Sequence, residues 1–300
     1  MTRLLHNLFG DLDRPDTAGQ VLFYRVFEGA AVAWAVYFAW LWGVFIQRIE
    51  APVMPAGIAR YLDVSFMFDH GISLGVAAAI TALAVLGLTR TWRYAYLAML
   101  LMMHLQYVSR FILGKVSHGS SLAGLVLVAL AIGTLAFSDR QQVRRFVLGF
   151  CIFFFGFGYV LAAACKLIGT GPLWSDGLHL WMWIGERTVD RLSETGAIQH
   201  TFLQSLALTS HPLATAMLTF GLVAEALGFL LWYRRTRHVM AFILLSMHLG
   251  VLFSMQIRFP VNETMMLLLA APWAGWADQA LTRWGGTRGA GLQQWFLRHA

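Results

Sequence analysis

Apolar residues run along this chain in long blocks separated by short polar tracts. Eight blocks read as membrane spans: 21–46, 66–88, 92–112, 119–137, 144–168, 212–233, 238–256 and 259–277. A helix needs about 20 mostly apolar residues to cross the hydrocarbon of a bilayer. The first block follows a polar segment, 1–20. It is too long for the apolar core of a signal peptide, so it is predicted to be a retained helix. The last opens on Phe259-Pro260, a favourable helix start. One connection is long, 169–211. Its Trp174, Trp181 and Trp183 are amphipathic rings that suit an interface. One or two helices, lying flat or re-entrant, are expected there, and a loop of this length is often functional. The pattern predicts an all-α integral membrane protein with about eight transmembrane helices and interfacial helices in the long outer loop. One membrane domain, 21–277, would lie between the polar segment 1–20 and a basic tail, 278–300.

Composition strengthens this reading. The chain of 300 residues is 58% hydrophobic and 12% charged, against about 25% charged in an ordinary soluble domain. Mean hydropathy is +0.63. Such a chain cannot cover its surface with polar groups, so a lipid bilayer is its expected surroundings. Cys151 and Cys165 are the only two cysteines. On one helix they would stand about 21 Å apart, too far to pair with each other.

The net charge of +7 changes the picture only through its distribution. Nucleic acid is not an expected partner, because no basic tract is interleaved with exposed aromatics. The basic residues cluster in short turns between the apolar blocks. With the N-terminus inside, 13 fall on the cytoplasmic side and 8 on the other, with Arg25 at the start of the first span. The positive-inside rule then predicts that both termini are cytoplasmic.

Ionisable residues inside spans are costly in lipid and are therefore candidates for function. Lys166 ends the apolar run FVLGFCIFFFGFGYVLAAAC. It reads either as a flanking anchor that extends to the interface or as a partly desolvated general base. His248 lies mid-span in LLSMHLGVLFSMQ and reads as a packed, hydrogen-bonded histidine or as a donor or proton shuttle. His118 opens the fourth span and, with Arg110, is expected at the level of Lys166. Glu225, in LVAEALGFLL, is read as structural and nearer the cytoplasmic half. Arg258, Asn262 and Glu263 form a polar outer turn, and Asp176 follows Trp174 in the long loop. His104 reads as packed. No metal motif is present.

Several of these segments resemble a known family. YVLAAACKLIGTGPLWSDGLHL, SRFILGKVSHGSSLAGLVLVAL, LSMHLGVLFSMQIRFPVNETMMLLLAAP and the first-helix arginine motif VLFYRVFEGAAVAW look like segments of vitamin K-dependent gamma-carboxylase and its bacterial relatives. Those relatives are the HTTM (horizontally transferred transmembrane domain) proteins. The likeness covers roughly residues 20–275, with the motifs in order. It implies a bacterial inner-membrane protein with quinol-dependent oxidation or carboxylation and a reduced, vitamin K-like quinone as cofactor. Lys166 would be the base that deprotonates the quinol, with His118 and His248 in the site. Arg110, Trp174, Asp176, Arg258 and Glu263 would contact substrate. Where the carboxylase has two adjacent lysines, this chain has Cys165 before Lys166. The alternative is a non-enzymatic membrane protein, an assembly partner or a small-molecule carrier.

Overall fold

The computed structural model describes residues 2–10, 14–49, 57–114 and 119–283. The helices are α1 (Thr2–Phe9), α2 (Ala18–Ile46), α3 (Ile72–Leu88), α4 (Ala95–Phe111), α5 (Gly119–Ala136), α6 (Arg140–Thr170), α7 (Gly177–Thr195), α8 (Phe202–Thr209), α9 (His211–Ala226), α10 (Arg237–Met255) and α11 (Pro260–Leu269). A further helix, α12, covers 273–283, and no strand occurs among the described residues. The protein is all-α. Five of its helices are long and apolar enough to cross a membrane: α2, α5, α6, α9 with its 3₁₀ extension Leu227–Trp232, and α10.

The remaining predicted spans are shorter than their apolar blocks. The block 66–88 begins with a 3₁₀ turn, Ser65–Phe68, and its helix starts at Ile72 after Gly71 in a left-handed conformation (φ 79°). Both α3 and α4 have 17 residues, the lower limit for crossing. The block 259–277 is not one helix. Proline at its first turn starts α11 as expected, but α11 ends after 10 residues. That is about 15 Å of rise, half the hydrocarbon thickness. Pro272 then separates it from α12. The long connection does hold two helices, α7 and α8. Asp176 caps α7 by accepting from the Leu178 N–H, and a Thr201–Gln204 capping box opens α8.

Only 44% of the most apolar stretch of α2 is buried, and 33% of that of α9. The uncovered remainder carries large apolar side chains such as Tyr37, Leu41, Phe220 and Val223. Apolar area of that extent on outward faces is what a lipid-facing surface requires.

The chain forms two compact units. One comprises Met1–Leu8 and Ile152–Pro272; the other comprises Phe9–Cys151 and the chain from Trp273. In the second unit α2 packs closely on α3 and α4. Ser73 Oγ donates to Gly43 O (2.9 Å), and Gln106 Nε2 donates to Ser73 O (2.8 Å). The α12 helix docks at the start of α2, where Asp278 accepts from Thr17 Oγ1 (2.6 Å) and the Gly19 N–H (2.7 Å). In the first unit, α7, α8 and α9 share a core of Leu180, Ile184, Ala207, Ala214 and Leu218, bordered by Trp174, Trp181 and Trp183. The Arg237 guanidinium ties α10 back to α1 by donating to Asn7 O (3.0 Å).

Candidate functional site

A single face of α6 begins the site. Gly156, Tyr159, Ala163 and Lys166 follow one another at helical spacing, so they form one stripe. Gly156 and Gly228 allow the backbones of α6 and the 3₁₀ segment after α9 to touch. A Cβ on Gly228 would stand 2.6 Å from the Tyr159 Cβ, and one on Gly156 would stand 2.9 Å from Gly228 O. Small residues permit such crossings between membrane helices.

Two turns further along α6, Lys166 Nζ donates to both carboxylate oxygens of Glu225, at 2.6 and 2.5 Å. The Lys166 side chain is 28% exposed and that of Glu225 is 11% exposed. The Trp174 ring, from the 3₁₀ turn Gly171–Ser175, covers the ammonium at 4.5 Å. The cation–π contact and the paired carboxylate both favour holding the charge in place.

Next to this pair, Tyr159 Oη and His248 Nε2 are hydrogen-bonded at 2.7 Å. Asn262 Nδ2 donates to the same tyrosine oxygen at 3.5 Å, and the Phe259 ring lies 5.2 Å from the imidazole. His248 is 5% exposed, and its other nitrogen, Nδ1, is buried with no hydrogen-bond partner. Tyr159 and Lys166 stand two turns apart on one face of α6, so the two pairs lie along one stripe that α9, α10 and α11 complete.

Trp174 thus covers Lys166, and His248 bonds Tyr159, which stands seven residues before Lys166 on the same helix. The sequence reading did not pair Glu225 with Lys166; the ion pair joins their charged groups across α6 and α9. Tyr159 was not singled out at all. Its signal was its place seven residues before Lys166, two turns along the same face.

The other candidates have different surroundings. Arg258 is exposed and pairs with Glu263 at 3.4 Å, while the Glu263 carboxylate also accepts from the Phe259 N–H and so caps α11. Asp176 accepts from the Leu178 N–H and bonds His211 Nε2 at 2.5 Å. Arg110 lies in the other unit with its guanidinium 4.0 Å from the Phe45 ring centre. His118 falls outside the described residues.

The Leu178 N–H, and after it His211, hold the Asp176 carboxyl below its usual range. A depressed folded value contributes stability above the unfolded carboxyl value, about 3.9. That contribution disappears as pH falls through the folded value. The thermal midpoint of Asp176→Ala is therefore expected below that of the native chain at pH 7. The gap should close as pH is lowered below about 4. Parallel melting curves in detergent across pH would show it, and a gap independent of pH would exclude an electrostatic origin.

No protein-family model, curated protein or solved structure matches the chain.

Proposed function

We propose that this chain is a membrane proton-transfer enzyme of the HTTM and gamma-carboxylase-like kind. It would act on a reduced lipid quinone through the Lys166–Glu225 pair. The observation that carries the proposal is the position of that pair. It lies under Trp174 and two turns along α6 from a buried tyrosine–histidine pair, in a helix bundle whose outer faces are apolar. Ion pairs of this kind are rare inside membranes and mark proton relays or substrate paths.

The residues fit a quinol. Such a molecule is a flat apolar ring with phenolic hydroxyls, and when bound it supplies reducing electrons. Trp174 and Phe259 offer aromatic faces, and His248 Nδ1 is a buried polar atom still without a partner. These groups would hold it. The pair refines the part assigned to lysine. Lys166 Nζ already donates to both Glu225 oxygens, so the pair takes up a proton through the carboxylate while Lys166 fixes its position. Tyr159 and His248 orient one another and exclude water from the far side of the pair.

The bias of basic residues, 13 against 8, supports a bacterial inner-membrane location with both termini cytoplasmic. Reporters fused at each terminus should therefore be active only from the cytoplasm.

The test is quinol oxidation by the protein in liposomes containing reduced naphthoquinone, followed by absorbance and oxygen uptake. Glu225→Gln and Lys166→Arg are each expected to lower the rate by about a hundredfold or more, the usual weight of positioned acid–base groups. Full turnover in Glu225→Gln would remove the pair from the chemistry. It would leave the pair as a clamp between helices, as a non-enzymatic membrane protein would use it.

A further inference from the structure

A second buried charge cluster lies in the other unit. Glu28, in the third turn of α2, is 1% exposed. Its Oε1 accepts from Tyr96 Oη at 2.9 Å, and its Oε2 from Arg25 Nη1 at 2.9 Å. Arg25 also donates to Leu88 O at 3.2 Å, tying α2 to the end of α3. The carboxylate is satisfied by these partners. A second guanidinium nevertheless approaches it: Arg90 Nη2 stands 3.9 Å from the same Oε2. One carboxylate faces a surplus of cations.

Two donors there remain unspent. Arg90 Nη2 is buried and has no hydrogen-bond partner, and neither does the hydroxyl of Tyr24. Tyr24 is 0% exposed and stands one turn before Glu28 on the same face of α2. Arg90 also has φ 57°, a left-handed conformation uncommon for a residue other than glycine and one that tends to persist where function requires it. An unsatisfied buried donor is destabilising, so an arginine and a tyrosine both left open beside excess positive charge call for an anion. Arginine forks match the oxygens of phosphate.

We propose that Arg25, Arg90 and Tyr24 form a phosphate-binding site at the α3–α4 turn. An anionic lipid headgroup and free phosphate share this chemistry, and the exposed aromatic residues of the turn favour the lipid. Trp92 and Tyr94 in the same turn are 44% and 48% exposed, as aromatic residues are at headgroup level. Arg93 anchors the turn by donating to Leu135 O at 2.9 Å. The site is independent of the Lys166–Glu225 pair.

The test uses the full chain in a neutral detergent, titrated with phosphatidylglycerol, with phosphatidylcholine, or with inorganic phosphate. Binding is read by native mass spectrometry and by thermal midpoint. Phosphatidylglycerol is expected to remain bound and raise the midpoint. Arg90→Ala should weaken that binding by about tenfold or more, in line with loss of charge-assisted bonds. Arg90→Lys, which keeps the charge but not the fork, should fall between. Arg187→Ala, at an exposed arginine paired with Asp190, should bind as the native chain does. Arg90-dependent binding of inorganic phosphate alone would keep the phosphate site and reassign its source to the free ion. Equal lipid binding by native chain, Arg90→Ala and Arg90→Lys would overturn the proposal, as would no binding of either phosphate probe.

Discussion

Glu225→Gln is expected to destabilise the protein by about 3 kcal/mol, because it leaves Lys166 charged and unpaired in a partly buried site. Lys166→Met should cost a similar amount for the mirror reason, with Glu225 left alone at 11% exposure. The double replacement, Lys166→Met with Glu225→Leu, is expected to be more stable than either single variant. A buried pair recovers little more than its own desolvation, so apolar residues of similar volume can replace it. Lys166 retains 28% exposure, which screens part of the interaction and places the single costs at the low end of the range for buried pairs. Denaturation in mixed micelles would measure the cycle. Additive losses in the double variant would show that the two residues do not share one interaction. The same variants separate stability from chemistry: the double variant should fold well and be inactive.

The bundle's helices were legible because apolar length is a one-dimensional property. Five of the eight apolar blocks became α2, α5, α6, α9 and α10, each long and apolar enough to span. Where the prediction lengthened an element, the cause is local. Gly71 delays α3, and Pro272 divides 259–277, since proline ends the helix that precedes it. The division of the chain into two units has no counterpart in its composition. The site was half legible. Lys166, His248 and Trp174 stand out by residue type in apolar surroundings. Their partners depend on how helices cross, which is set by pairs of residues distant in sequence. Glu225 lies 59 positions from Lys166 and Tyr159 lies 89 from His248. Glu28 was overlooked for a related reason. A carboxylate eight residues into an apolar block attracts notice only once Arg90 and Tyr96 are seen to face it.

Gly228→Ala is expected to reduce stability by about 1–3 kcal/mol, the cost of overpacking a close contact. The added methyl would meet the Tyr159 Cβ at 2.6 Å and Gly156 O at 3.1 Å, and neither atom is the free end of a flexible chain. Gly156→Ala should cost at least as much. Its methyl would stand 2.5 Å from Trp232 Nε1. That indole is held in place, donating to Phe153 O at 2.9 Å and stacking on the Phe153 ring at 5.1 Å. The neighbouring Gly158 supplies the control, for a Cβ there meets nothing within 4 Å. Gly158→Ala should be neutral or stabilising by up to about 1 kcal/mol, since alanine favours a helix over glycine. Two glycines on one helix, two residues apart, are thus expected to respond with opposite sign. The consequence extends along α6. Tyr159 and Lys166 share the face of Gly156, and Glu225 stands three residues before Gly228, so spreading this crossing lengthens the Lys166–Glu225 contact as well. Gly228→Ala should therefore lower quinol oxidation in liposomes more than its loss of stability accounts for. Unchanged turnover at full folding would show that the glycine crossing does not set the geometry of the pair.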